Sequence, residues 1–348
     1  MSLPAANIEA LMSTIREKLD HNESLFLAPQ ATRAAESRGR RIPEPPHALR
    51  TAFQRDRDRI LHTKAFRRLA HKTQVFPAPE GDHYRVRLTH TLEVTQVART
   101  IARALALNED LVEAICLGHD LGHTPFGHLG EEVLTEFLGR QFRHNEQSCR
   151  IIDHLQWRGE TQASIPGGLN LTWEVRDGIL NHTWSMPQPG TLEGQVARFA
   201  DRIAYLSHDI EDAIRAGVLT LDDLPEPVNR ILGTTSSARI DAMVGSLVAA
   251  SGDLGRIAMT PEVFAVMSLT RDFMFERVYQ RPESKQEHDR VTRLLTDLLE
   301  HYRDHPDDLP SESSDEDDFE TRLVDYVSGM TDRFALREHA RLCGLVTK

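Results

Sequence analysis

Apolar residues along this chain recur mostly at three- and four-residue intervals, and few stretches alternate every second residue. That pattern predicts a mainly helical protein. It places helices over about 5–20, 53–71, 87–107, 109–118, 131–142, 146–156, 174–181 and 192–216. Further helical segments follow, broken near Gly252, Pro261 and Pro282. Along 87–107, Leu92, Val97, Ile101 and Ala104 read as the core-facing side. Segment 109–118 is apolar nearly all round and reads as a buried helix. Residues 28–48, with Pro29, Pro43, Pro45 and Pro46, read as an irregular, mobile arm. Residues 74–76 and 84–86 read as a short hairpin, 157–171 as a loop, and 311–318 as an acidic solvated loop. The expected class is all-α with at most that one hairpin. The expected organisation is an N-terminal helix and arm (1–48), a helical core (49–220) and a C-terminal helical region packed on it (221–348).

Composition narrows this picture. The 348 residues suffice for one large or two ordinary domains. Cys116, Cys149 and Cys343 are far apart and form no CxxC pair, which points to a reducing compartment and away from a disulfide framework. Neither a leader-like N-terminus nor an apolar run of about 18 residues is found, so a soluble cytoplasmic protein without membrane contact is expected. The net charge is −12, but residues 31–72 hold twelve Arg/Lys against four acids. Such a compact basic block suits a small polyanion better than a long nucleic-acid track.

The densest chemistry lies between Cys116 and Glu131, where His119, Asp120, His123, His128 and Glu131 fall among glycines. Buried groups of this kind each need a partner, and a metal-assisted hydrolytic centre supplies one. Three His-Asp pairs occur: His119-Asp120, His208-Asp209 and His288-Asp289. Only the first follows a buried-looking helix; the last lies in a charged segment and reads as a solvated face. Upstream, His90 begins an amphipathic helix, with Arg87 three residues earlier on the same face. A cation beside a metal-binding His calls for an anion between them. Downstream, Asp201, Tyr205, Asp209 and Asp212 fall within about 80° on one helical face. One His, one His-Asp pair and one Asp from three helices make a mixed N/O set, suited to Mn²⁺ or Fe²⁺ and less strongly to Mg²⁺.

These residues resemble a known family. The motifs 87–90 (RLTH), 119–131 (HDLGHTPFGHLGE) and 200–202 (ADR) resemble the HD-domain deoxynucleoside triphosphate triphosphohydrolases, which include bacterial dGTPases and the vertebrate SAM-and-HD-domain dNTPase. Further matches lie at 56–60, 66–76, 143–147 and 325–333, so the resemblance covers about 50–345. It implies an HD-domain core that converts a dNTP and water to a deoxynucleoside and inorganic triphosphate. It implies His90, His119, Asp120 and Asp201 as metal ligands, and His128 and Glu131 as the catalytic pair. His123 and His144 would line the α-phosphate, Arg87 and Arg202 would contact phosphate, and Gln74, Tyr205 and Asp209 would hold the sugar. A homo-oligomer and a dNTP activator are implied by the resemblance alone.

The chemistry asks for these groups. A 5′-alkoxide leaves poorly unless protonated, which suits His128 as general acid. Glu131, one turn on, is expected to hold its imidazolium and raise its pKa. Arg87, Arg202 and Lys72 are expected to stabilise the triphosphate charge. Tyr205 under the sugar would exclude a 2′-hydroxyl. Two alternatives share part of this pattern: an HD phosphohydrolase of nucleoside monophosphates or cyclic nucleotides, and a regulatory nucleic-acid-binding protein without catalysis; the 33–41 arm leaves single-strand binding open as a secondary property.

Overall fold

Fourteen α-helices and no strand are found among the residues that the computed structural model describes: 5–74, 85–156, 168–253, 255–279, 285–310 and 317–342. The helices are α1 (Ala5–Phe26), α2 (Ala52–Leu61), α3 (Lys64–Arg68), α4 (Arg87–Ala104), α5 (Glu109–Gly118), α6 (His128–Leu138) and α7 (His144–Arg150). They continue as α8 (Trp173–Asn181), α9 (Leu192–Arg215), α10 (Ser236–Ala250), α11 (Pro261–Met274), α12 (Lys285–Asp304), α13 (Phe319–Ser328) and α14 (Asp332–Leu342). The protein is all-α, as its periodicity predicts. Of the expected hairpin, one antiparallel bridge between Thr73 and Val86 is seen; residues 75–84 lie outside the described residues, as do 157–167 and 311–316 of the two expected loops. No helix among the described residues is long and apolar enough to cross a membrane.

Several local expectations are corrected. The 53–71 helix is split, because Thr63 caps a new start by accepting from Phe66 N. On α4 the buried stripe is His90, Val94, Val97, Ala98 and Ile101, whereas Leu92 and Ala104 are exposed. Leu92 stands about 200° around the helix from His90, so the i, i+4, i+7, i+8 stripe excludes it. The helix after His144 turns into a π-helical segment at Ile151–Leu155.

The 28–48 arm is pinned rather than mobile. Thr32 donates to Glu193 from both N and Oγ1 (2.9 and 2.8 Å). Arg38 N and Ser37 Oγ both donate to Glu174 at 2.7 Å, and Arg40 pairs with buried Asp56. The basic block is likewise used internally. Arg55 and Arg59 pair with Glu44, Arg50 with Asp58, and Arg57 with Asp58, Asp110 and Glu113.

Two hydrophobic cores result. The larger runs from Ala31 to Val278 and takes in α4, α5 and α9. The smaller joins Phe126, Val133, Leu134 and Phe142, around α6, to Val291–Ala335 of α12–α14.

Candidate metal centre and active site

α4, α5 and α9 pack on one another, and each carries a ligand-type side chain to the same place. α5 is started by Asn108, whose Oδ1 accepts from Asp110 N and Leu111 N (3.1 and 3.2 Å). It ends at Gly118, which leaves His119 and Asp120 on the following turn. That turn can approach α7 because Gly122 lacks a Cβ; one placed there would lie 2.3 Å from His144 O and Ser148 N. Ser148 Oγ closes the turn, donating to His119 O and accepting from Gly122 N, each at 2.8 Å.

The four expected ligands converge. His90 Nε2 lies 3.2 Å from Asp201 Oδ1 and 4.0 Å from Asp120 Oδ2. His119 Nε2 lies 3.4 Å from Asp120 Oδ1 and 3.8 Å from Asp201 Oδ1. His119 Nδ1 donates to Cys116 O at 2.6 Å, which turns the Nε2 lone pair inward. That Nε2 is buried and has no hydrogen-bond partner. Burial opposes ionisation of Asp120, but His119, His123, Arg87 and His90 hold its carboxyl well below the usual range. Burial also opposes Asp201, which the His90 contact nevertheless brings down to about 2. Ionised carboxylates beside an imidazole lone pair with no proton to accept fit a divalent cation, and the N/O donor set fits no thiolate site.

Arg87 supplies a correction. The anion between it and the histidines is the protein's own Asp120, 2.9 Å from Arg87 Nη1. Lys72 is another. Its Nζ is buried and donates to His123 O and Ser328 O, so it ties the catalytic turn to α13. Burial lowers it to about 7.

His128 and Glu131 are both on α6, but no hydrogen bond or ion pair joins them among the described residues. Glu131 Oε1 instead faces His144 Nδ1 at 2.8 Å and His123 Nδ1 at 3.1 Å. His144 and His123 stack with centroids 4.0 Å apart. His128 is exposed at the surface, its ring centroid 5.7 Å from His123. Desolvation by the protein atoms around it lowers its pKa, and Glu131 acts on it only as a nearby charge. The expected raised pKa is therefore not found.

The register of α9 brings Asp201, Tyr205 and Asp209 to one face, and that face is turned inward rather than to solvent. Asp209 Oδ2 accepts from Tyr279 Oη at 2.5 Å, while its Oδ1 is buried without a partner. Burial raises its carboxyl to about 7. Gln74 is beside the catalytic turn: its carbonyl oxygen lies 3.6 Å from where a Gly127 Cβ would be, and its Oε1 is a buried acceptor with no partner. Of the other two His-Asp pairs, Asp209 thus joins this face, whereas His208 and the His288-Asp289 pair stay outside it. His208 binds Glu93 at 2.8 Å, and His288 reaches only Glu132, at 3.8 Å.

Three further residues at the site are not singled out by the sequence, although Asp332 lies within the matched segment 325–333. His182 follows α8 and donates from Nδ1 to Ile179 O (2.7 Å), the device His119 uses; its Nε2 lies 3.2 Å from His144 Nε2. Tyr279 reaches Asp209 from beyond α11. Asp332, at the start of α14, accepts from Thr73 N (2.8 Å) and Phe126 N (2.9 Å). Phe126 and Gly127 both have positive φ (60° and 62°), a turn that needs external support. Asp332→Ala is expected to cost about 3 kcal/mol, from two charge-assisted bonds to buried amides. Urea unfolding would show it; an unchanged midpoint would mean that Asp332 does not brace the turn.

The HD domain model matches residues 87–206, and the phosphohydrolase-associated domain model matches 257–341. Curated relatives named deoxyguanosinetriphosphate triphosphohydrolase-like protein are similar over nearly the whole chain. The relative from Caldanaerobacter subterraneus subsp. tengcongensis is 50% identical, covering 94% of this chain and 95% of the relative. Those from Desulfatibacillum aliphaticivorans and Clostridium perfringens are 45% and 44% identical, each covering 94% of this chain and 98% and 97% of the relatives. A solved structure of a hypothetical protein from Aquifex aeolicus is similar with a TM-score of 0.44 and 20% identity, covering 81% of this chain and 67% of that one. The chain belongs to the HD-domain family of deoxyguanosinetriphosphate triphosphohydrolase-like proteins.

Proposed function

We propose that the protein hydrolyses deoxynucleoside triphosphates to deoxynucleoside and inorganic triphosphate, by attack of water at the α-phosphate. The observation that carries this reading is the convergence of His90, His119, Asp120 and Asp201 around a buried imidazole nitrogen that has no partner. The relatives' shared name supplies the substrate class. These four residues would hold one divalent ion, Mn²⁺ first, with Fe²⁺ and Mg²⁺ also fitting. When bound, the ion would polarise an α-phosphoryl oxygen and acidify water.

The chain's own groups do the rest. His128 protonates the departing 5′-oxygen. The bound triphosphate adds negative charge beside it and so favours its protonated form over the lowered value of the free site. Glu131 keeps His144 and His123 in place at the α-phosphate, and Arg87 and Arg202 meet phosphate oxygens. Gln74 and Tyr205 bound the sugar, and the free oxygen of Asp209 accepts its 3′-hydroxyl. Incubating each dNTP with Mn²⁺, Mg²⁺ or Fe²⁺ and following products by phosphorus NMR tests the reading. Inorganic triphosphate in equal amount to deoxynucleoside is expected. Orthophosphate from nucleoside monophosphates, with no triphosphate from any dNTP, would overturn it.

A further inference from the structure

α9 presents two further cations, Arg198 one turn before Asp201 and Arg202 directly after it. Arg198 and Arg202 are both buried, at 8% and 6% exposure, and neither has a carboxylate within 4.0 Å among the described residues. Burying a guanidinium without an acidic partner is costly, and two side by side more so. What they have instead is Trp184. The Arg202 guanidinium carbon lies 3.9 Å from the indole centroid and that of Arg198 lies 5.1 Å from it. The indole is wedged in turn by Phe199, edge-on at 5.1 Å, and by Phe264 of α11 at 6.0 Å.

The two arginines are not equivalent. Arg198 is committed to backbone: its Nη2 donates to Thr183 O and Met186 O at 2.6 Å, and its Nη1 to Pro187 O at 3.2 Å. It thereby fixes the segment that carries Trp184. Arg202 makes no such backbone bonds and has the Tyr205 hydroxyl beside it; its Nε, like that of Arg198, is a buried donor without an acceptor. The indole Nε1 is another. Buried donors left without acceptors are rare in folded proteins, and three of them around a guanidinium with no paired carboxylate among the described residues imply an anion that completes the site.

We propose that Trp184 is the positioning residue that holds Arg202 flat and un-neutralised for the terminal phosphates of the substrate, with Arg198 locking Trp184 in turn. An aromatic face steadies a guanidinium without cancelling its charge, whereas a carboxylate would compete with the incoming phosphate. Positions 198, 201, 202, 205 and 209 fall on one arc of α9, so this subsite continues directly from the proposed ligand Asp201 and the sugar contacts. The inference rests on the triphosphohydrolase reading and gives that site a phosphate-holding end.

The test uses the full chain with Mn²⁺ and inorganic triphosphate as the probe, measured by titration calorimetry. Trp184→Leu keeps an apolar filling without a π face; Trp184→Phe keeps the face. Trp184→Leu is expected to weaken triphosphate binding about ten-fold and to raise KM for a dNTP more than it lowers kcat. Trp184→Phe should recover most of that loss. Adding Trp184→Leu to Arg202→Ala should weaken binding little beyond Arg202→Ala alone, because the indole acts through the guanidinium. A purely structural role would give independent, additive losses and no rescue by Phe, and that outcome would overturn the proposal. So would wild-type affinity in Trp184→Leu. Wild-type enzyme that neither binds nor releases triphosphate would instead sink the underlying reading, so the two failures are separable.

Discussion

Replacing His128 with alanine is expected to lower kcat on a dNTP by about 10³-fold or more while leaving bound metal unchanged. The magnitude is that of losing a general acid from a step whose leaving group is an alkoxide. The retention of metal follows from placement. Among the described residues, the three sets of side chains close enough to share an ion draw on His90, His119, Asp120, Asp201, His182, His123 and His144, and none includes His128. His128 begins α6, after the positive-φ turn at Phe126 and Gly127, and is exposed at the surface. Single-turnover rates and elemental analysis of the purified variant would check both halves. Metal lost together with turnover would move His128 into the ligand set. A residual rate near wild type would assign the proton to His144 or His123.

Removing the metal with a chelator is expected to abolish turnover and to lower the melting temperature, with both restored by Mn²⁺. An ion that binds only the folded chain adds about 2.7 kcal/mol at a hundred times its dissociation constant. Asp120→Ala should mimic the chelated state without recovery, and it should be less stable than chelated wild type. Asp120 is the one acid paired with the buried Arg87 guanidinium among the described residues, and its loss strands that charge. Breaking such a buried pair costs about 3–5 kcal/mol. The acid limb follows the same carboxylate. Its pKa is held down in the folded protein, so its contribution is present above the unfolded value near 4 and fades as pH falls below it. Calorimetric melting across pH 3–7 on metal-free protein would show a steeper acid loss for wild type than for Asp120→Ala. Equal stability of the variant and the chelated wild type would refute the Arg87 argument.

The convergence of the proposed ligands was legible because each lies on, or directly after, a helix whose period can be counted. His90, His119-Asp120 and Asp201 needed only the stripe of their own helix and the glycines that follow α5. What depends on a partner from elsewhere was not legible. Glu131 is one turn from His128 in sequence, yet its carboxylate meets His144 and His123, because α7 packs against the catalytic turn through Gly122. The basic block was counted correctly, but a charge count carries no pairing, and Glu44, Asp56 and Asp58 absorb much of it. His182 and Trp184 follow α8 with no acid beside them in sequence. The only local signal was a histidine three residues after a helical carbonyl, and that geometry is visible only once the helix is known to end at Asn181.

The two cores divide the chemistry between them. Every proposed ligand stands on α4 or α9 or directly after α5, the helices that build the larger core. The proposed proton donor begins α6, which is seated against α12–α14 in the smaller one, with Asp332 and Ser328 reaching back to the turn before it. A polypeptide ending after α11 would therefore keep the whole ion cradle and lose the bed on which its acid lies: a metal-binding protein with nothing to hand the proton over.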